Sequence, residues 1–339
     1  MILENISLEA IEYVLPPFII TSDQIESELQ GTLKRLGLPS GLLKSLTGIS
    51  ERRVWALGKK PSEAATAAAN KAIAASGINP MEIGCIINTS VCRDYIEPSV
   101  ACIVHGNLKL SPACLNFDIS NACLGFLNAV EIISMMISCG KIKYGLIVNG
   151  ETSGNVLAST VTKLKEPHIT IDDYRNNFAS LTLGSAGVAA IIGAANRSKT
   201  GHTINGLVNL ADTRFTNLCV GQYNYMKSDA SSLMKHGVEL AFRTWKLAEK
   251  ELPNWSDQQI DCYIPHQVSQ KNIEMLNETL KINPAKQQLS FMKFGNIGPA
   301  AIPVTLKMAS DQAKIKKGDN IAMLGIGSGL NCSMMSVTW

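Results

Sequence analysis

Apolar and polar positions along this chain follow two alternating rhythms. Short apolar runs bounded by turn residues, at 84–88, 144–149, 261–264 and 320–324, predict buried strands. Between them, apolar residues recur at helical spacing in the alanine-rich segment 61–76 and again over 231–251, which predicts helices. The two patterns alternate from end to end, as expected of an α/β protein.

The strand patterns also repeat. Ile83-Gly84-Cys85-Ile86-Ile87-Asn88-Thr89 pairs with Ile260-Asp261-Cys262-Tyr263-Ile264-Pro265-His266, and the segment 140–150 pairs with 314–325 at nearly the same offset. Two pairs at one spacing predict duplicated halves, divided as residues 1–180 and 181–339. On this map Cys123 corresponds to Ala300, and His266 to Thr89 at a strand end. Related halves bring such loops together across a pseudo-twofold axis, where a pocket forms.

Composition narrows the function. The chain is 46% hydrophobic and only 17% charged, which implies extensive burial, a subunit interface included. The formal charge is +3 with lysines and arginines scattered, so no nucleic-acid footprint appears. Nine cysteines, an odd count without a CxxC pair, and no secretory n- and h-regions predict a reducing, cytoplasmic setting. The longest low-charge run, 178–195, is broken by glycine, serine and threonine. It suits a buried strand with a tight turn better than a membrane span. Neither HExxH nor paired CxxC occurs, so no metal site is expected, and a GxSxG nucleophile elbow is missing as well.

Chemistry concentrates in Asn121-Ala122-Cys123-Leu124-Gly125-Phe126-Leu127. A strand pattern over 114–119 precedes it and a helix pattern over 126–136 follows, so Cys123 falls at a helix N-terminus. Unpaired N–H groups there favour an anion, and the thiol pKa is expected to fall below its free value of about 8.5. A thiolate so placed is a nucleophile. Most free cysteines merely pack, so the position has to be weighed with its partners. His266 ends a strand pattern, where α/β proteins place functional groups. Asn296 lies in Phe-Gly-Asn-Ile-Gly-Pro, where asparagine is also an ordinary turn residue. Gly325-Ile326-Gly327-Ser328-Gly329 lacks the spacing of a nucleotide loop. It suits close approach of backbone N–H groups to a small anion. His105, His168, His202 and His236 stand in contexts without evident partners and are read as structural.

Four motifs in order, Asn-Ala-Cys-Leu-Gly-Phe at 121–126, Ile-Pro-His-Gln-Val at 264–268, Phe-Gly-Asn-Ile-Gly-Pro-Ala at 294–300 and Gly-Ile-Gly-Ser-Gly-Leu-Asn at 325–331, resemble the thiolase superfamily. The likeness is to condensing enzymes of the 3-oxoacyl-[acyl-carrier-protein] synthase III type, from Thr47-Gly48-Ile49 to the C-terminus. Ser90-Val91-Cys92-Arg93-Asp94-Tyr95-Ile96-Glu97-Pro98-Ser99 is similar to the branch that joins acyl-CoA molecules head to head in bacterial long-chain olefin biosynthesis.

The resemblance implies a five-layered αβαβα thiolase fold with two similar halves and a homodimer. It implies that Cys123 is acylated, that the amides of Cys123 and Ser328 hold the oxyanion, and that His266 and Asn296 position the second thioester and its enolate. Glu97 matches a glutamate that reaches the site from the partner subunit as the base. Chemistry favours such a base, because a condensation without decarboxylation must remove an α-proton, and a carboxylate in a water-poor pocket has a raised pKa. On local context alone, Glu97 is a solvated loop carboxylate or a partner of Arg93.

Two departures matter. A tryptophan and an arginine that hold the CoA adenine in synthase III enzymes give way here to residues 42–46, Leu-Leu-Lys-Ser-Leu, and Met323-Leu324-Gly325 lacks the second catalytic cysteine of thiolases.

The reading is a ping-pong Claisen condensation of two fatty acyl-CoA thioesters without decarboxylation. It needs no cofactor beyond those substrates, with an acyl carrier protein as the other conceivable donor. Its rivals are condensation of acyl-CoA with malonyl-ACP, and hydrolysis of the acyl-Cys123 intermediate by water.

Overall fold

The computed structural model describes all 339 residues. A first unit runs β1 (Ile6–Val14), α1 (Pro61–Ser76), β2 (Ile83–Asn88), α2 (Val100–Leu108), β3 (Leu115–Asp118), α3 (Gly125–Ser138), β4 (Tyr144–Glu151) and β5 (Ala186–Ala194). A second repeats it with β6 (Thr203–Ala211), α4 (Ala230–Glu251), β7 (Cys262–Pro265), α5 (Gln270–Leu280), α6 (Ala301–Asp311), β8 (Asn320–Gly327) and β9 (Asn331–Thr338). Where β3 would recur, there is only a single parallel bridge from Gln287 to Tyr263.

Strand order is β1-β5-β4-β2-β3 in the first unit and β6-β9-β8-β7 in the second. In each, the strands before the last are parallel where they pair across α2, α3 or α6, and the closing strand is antiparallel: β9 follows β8 after a short turn, whereas β5 returns beside β4 only after the helices Gly154–Leu164 and Ile171–Asn177. The strands of the two units meet at the pair Ser7 with Thr203, beside the bridges Ile2 to Gly206 and Leu183 to Asn296. Both strand pairs matched in the sequence occupy equivalent places, β2 with β7 and β4 with β8. The division expected at 180/181 falls too early: β5 lies beyond it yet pairs with β1 and β4. The return strand β5 comes back to the first sheet after two helices, Gly154–Leu164 and Ile171–Asn177, and the duplicated motifs did not include it.

Three cores define the layers. Between the sheets, Leu127, Val130 and Ile133 of α3 and Ile302, Val304 and Leu306 of α6 pack with Ile87, Ile147, Ile264 and Ile321. Outside the first sheet, Ala65, Ala68 and Ala72 of α1 and Val104 of α2 cover Ile86, Val148 and Ile191. Outside the second, Leu240, Trp245 and Leu280 cover Tyr263, Ala322 and Leu324. The order is therefore helix, sheet, helix, sheet, helix, the five-layered αβαβα thiolase fold. Neighbouring strand residues such as Ile86 and Ile87 face opposite cores, which is why the strands read as continuous apolar runs.

Helix α1 lies against the end of β4 that carries the site. Pro61 starts it with a pre-set φ, and the Lys60 N–H donates to Glu63 Oε2 at 2.8 Å. Its alanines allow close approach, and Gly150 completes it: a Cβ there would stand 2.1 Å from the Pro61 carbonyl oxygen. Backbone cannot swing aside like a side chain. Gly150→Ala is expected to cost about 1–3 kcal/mol by displacing α1 from β4, visible as a lower midpoint in urea unfolding with an unchanged slope.

Candidate active site

Cys123 lies in a short 3-10 turn, Ala122–Leu124, that runs directly into α3. The preceding Ala122 adopts a left-handed φ of 45°, a strained elbow immediately before the cysteine. The end of β8 closes on it. Gly327 sits so near that a Cβ there would be 3.4 Å from the Cys123 amide nitrogen, which brings the turn leading into Ser328 beside that amide.

Amides stitch the two turns together. Asn331 Nδ2 donates to Asn121 Oδ1 and to the Ser328 carbonyl, both at 3.3 Å, while Asn121 Nδ2 donates to Asn128 Oδ1 at 2.7 Å. Asn121 and Asn331 stand inside motifs that the sequence singled out, but their bracing role follows only from the contact across the halves.

His266 follows β7 and is 4% exposed. Its own N–H donates to the Leu324 carbonyl at 2.7 Å, which seats it one residue before the glycine turn of β8. Its Nδ1 has no hydrogen-bond partner. Burial pushes the imidazole down to about 4, so it is neutral at physiological pH and can give a hydrogen bond from one nitrogen and accept at the other. Gln267 ties this loop to the next one: its Oε1 accepts from the N–H groups of Ser290 (2.7 Å) and Phe291 (3.1 Å).

That second loop carries Asn296. Asn296 N–H donates to the Thr182 carbonyl, the Gly184 N–H donates back to the Asn296 carbonyl, both at 2.9 Å, and Asn296 Oδ1 accepts from the Gly298 N–H at 3.0 Å. The oxygen end of the side chain is thereby held, which turns the Nδ2 donors away from its own loop.

Glu151, at the end of β4, is a functional candidate that sequence reasoning passed over. It is 4% exposed. A Cβ on Gly298 would be 3.8 Å from its carboxyl carbon, so it borders the Asn296 loop. Burial raises its pKa, opposed by hydrogen bonds from Val91, Cys92 and Asn149. The available signal was an acidic residue ending a buried parallel strand, the position from which these folds do chemistry.

The expected low thiol pKa is corrected here. Cys123 is pushed up to about 12, first by burial, then by the Glu151 carboxylate and the Cys219 thiol, against a single opposing hydrogen bond from its own backbone N–H. Part of its surface stays accessible, but the protein packed around it, with a carboxylate among its neighbours, outweighs one helix end. The free protein therefore holds a thiol. Alkylation of Cys123 by iodoacetamide is expected to climb about tenfold per pH unit from pH 7 to 10, followed by mass spectrometry. A plateau below pH 8 would show that the helix end prevails.

Glu97 is not brought to Cys123 within one chain. It lies exposed in the segment before α2, beside Ile96 (79% exposed) and Tyr95, and makes no ion pair with Arg93. The other histidines have structural partners: His105 at the Ser111 carbonyl, His168 beside Glu166, His202 stacked on Trp339, and His236 on Phe215. No cluster of side chains suited to holding a metal ion is present.

Residues 117–208 match the family model for 3-oxoacyl-[acyl-carrier-protein] synthase III, and residues 251–339 the model for its C-terminal part. The acyl-CoA:acyl-CoA alkyltransferase of Xanthomonas campestris pv. campestris is 39% identical over 100% of both chains. This chain belongs to the acyl-CoA:acyl-CoA alkyltransferase family, within the synthase III branch of the thiolase superfamily. The Shewanella oneidensis member is 37% identical over 99% of each chain. A structure of Xanthomonas campestris OleA with a Glu-to-Gln replacement superposes with a TM-score of 0.98 at 39% identity, covering 100% of this chain and 98% of that one. A second, a Cys-to-Ser form with bound lauric acid and lauroyl-CoA, superposes at 0.97 and 38% identity, over 99% and 100%. The chain is thus an acyltransferase of this family, and its strained Cys123 elbow, glycine turn and Asn296 loop meet at the seam of its halves.

Proposed function

We propose that the protein joins two fatty acyl-CoA molecules head to head in a ping-pong Claisen condensation without decarboxylation, as in long-chain olefin biosynthesis. In the first half-reaction the Cys123 sulfur attacks the thioester carbonyl as its proton passes to the neutral imidazole of His266. The oxyanion is met by the Cys123 and Ser328 amides, and the bond to the CoA sulfur breaks as CoA leaves with that proton. In the second, the partner subunit's Glu97 removes the α-proton of another acyl-CoA while His266 and Asn296 donate hydrogen bonds to its enolate oxygen. The carbanion attacks the acyl-Cys123 carbonyl, the sulfur leaves as a thiolate, the proton that Glu97 took is returned to it so that thiol and carboxylate are both restored, and a 2-alkyl-3-oxoacyl-CoA results.

One observation carries this reading: a thiol whose amide lies against the glycine turn of β8, in a chain 39% identical over its full length to an acyl-CoA:acyl-CoA alkyltransferase, with a buried neutral imidazole at His266 to serve it. A homodimer is part of the proposal. Strand β3 ends its sheet with an unpaired edge, Leu115 is 45% exposed, and exposed Tyr95 and Ile96 flank Glu97, as an interface delivering that residue to a second copy requires. A cytoplasmic setting fits nine unpaired cysteines, and no helix is long and apolar enough to cross a membrane. No cofactor beyond the thioesters takes part.

Long-chain acyl-CoA supplied alone is expected to yield free CoA and the condensed β-keto product, resolved by chromatography and mass spectrometry. Product that appears only after malonyl-ACP is added would reassign the protein to chain initiation. Free fatty acid as the sole product would make it a thioesterase.

A further inference from the structure

Glu151 has no task in the reaction above, yet its carboxylate acts on the Cys123 thiol and borders the Gly298 turn within one chain. Its Oε1 accepts from the Val91 N–H at 2.8 Å and from Asn149 Nδ2 at 3.2 Å, and its Oε2 accepts from the Cys92 N–H at 3.4 Å. Val91 and Cys92 begin the segment that carries Glu97. Upstream, this segment is stitched to the end of β4: the Gly150 N–H donates to Ser90 Oγ at 2.7 Å, and Ser90 Oγ donates to Asn88 Oδ1 at 2.6 Å. Further along, Asp94 accepts from the Ser62 N–H (2.9 Å) and hydroxyl (2.6 Å). Between Asp94 and the start of α2 the chain is exposed. The path of Glu97 is therefore set by three carboxylate anchors, Glu151 and Asp94 before it and, after it, Asp118, which accepts from the N–H groups of Val100 (3.0 Å) and Ala101 (2.9 Å); of the three, Glu151 is the one whose charge bears on Cys123.

We propose that Glu151 is a positioning residue for the condensation step. Seated beside its own subunit's Cys123 and the Gly298 turn, it fixes the course of residues 91–97 and so the point at which Glu97 meets the partner subunit's acyl-cysteine. The inference rests on the reading of Glu97 as the base. One buried carboxylate then links a subunit's own nucleophile to the base it lends to its partner. A misplacement of about 1 Å in such a base costs up to about a hundredfold in rate.

Glu151→Gln tests this. The amide keeps an oxygen for the Val91 N–H but turns an NH2 toward the Cys92 N–H, donor against donor. We expect the CoA burst to keep its amplitude of about one per site while turnover to condensed product falls about tenfold or more. Deuterium exchange at Val91 and Cys92 should quicken. In a Glu97→Gln background, Glu151→Gln should cause no further loss, because both act on one step. Burst and turnover falling by one common factor, a fully additive double variant, or unchanged exchange at Val91 and Cys92 would each overturn the proposal. If Glu97→Gln alone left condensation intact, the base assignment would fall, and the exchange measurement would still decide whether Glu151 anchors the loop.

Discussion

Cys123→Ala removes both half-reactions: neither a burst of free CoA nor condensed product should appear, a loss of about ten-thousandfold or more. The size follows from the role of the sulfur as the atom that carries the acyl group between two steps. Without it, the donors at Cys123 and Ser328 have no tetrahedral intermediate to stabilise, so the remaining groups act on nothing. The fold should survive, because position 123 retains accessible surface and lies in a turn held by the Asn121–Asn331 amide pair rather than by its own side chain. Intact-protein mass spectrometry after mixing with acyl-CoA checks it directly. The wild type should gain the mass of one acyl group per chain and the variant none. Undiminished CoA release by the variant would remove the covalent intermediate from the scheme.

Glu97→Gln should separate the two halves. Acylation needs no α-proton removed, so the burst of about one CoA per site should persist, and acyl-Cys123 should accumulate. Condensation should fall by about a hundred- to ten-thousandfold, the usual contribution of a placed general base. A glutamine of the same size keeps the contacts of the loop but cannot take a proton, which makes the split diagnostic. The measurement is rapid-quench CoA release alongside product formation from the same mixture. A variant that condenses at the wild-type rate would move the base elsewhere, and an equal loss in both halves would give Glu97 a role in acyl-CoA binding.

Much of the frame could be read from periodicity alone. The helix expected at 61–76 forms as Pro61–Ser76, and the runs at 84–88 and 320–324 lie within β2 and β8, since alanine spacing and continuous apolar runs are local properties. The duplication was visible for the same reason. The seam was not, because the return strand β5 belongs to the first sheet through pairing that no local pattern encodes.

The motifs singled out Cys123, His266 and Asn296; in the structure Cys123 lies in the turn leading into α3, His266 follows β7, and Asn296 lies in the loop that ends at Gly298. The charge state of the sulfur ran the other way from expectation. A helix end can be read from neighbours in sequence, whereas the burial that raises the thiol most, and the carboxylate of Glu151 28 positions away, exist only in the folded chain. The bracing amides of Asn121 and Asn331, 210 positions apart, were hidden for the same reason.

The two sheets do not end alike. The first finishes in four residues of open strand, Leu115–Asp118, while the corresponding place in the second holds one bridge at Gln287, whose side-chain amide is occupied by Asn277. A chain with an adhesive border at each end would add copies without limit and grow into a fibre. With one such border, pairing of two copies along Leu115–Asp118 would close the open end of the large sheet, and growth by that route would stop after a single event.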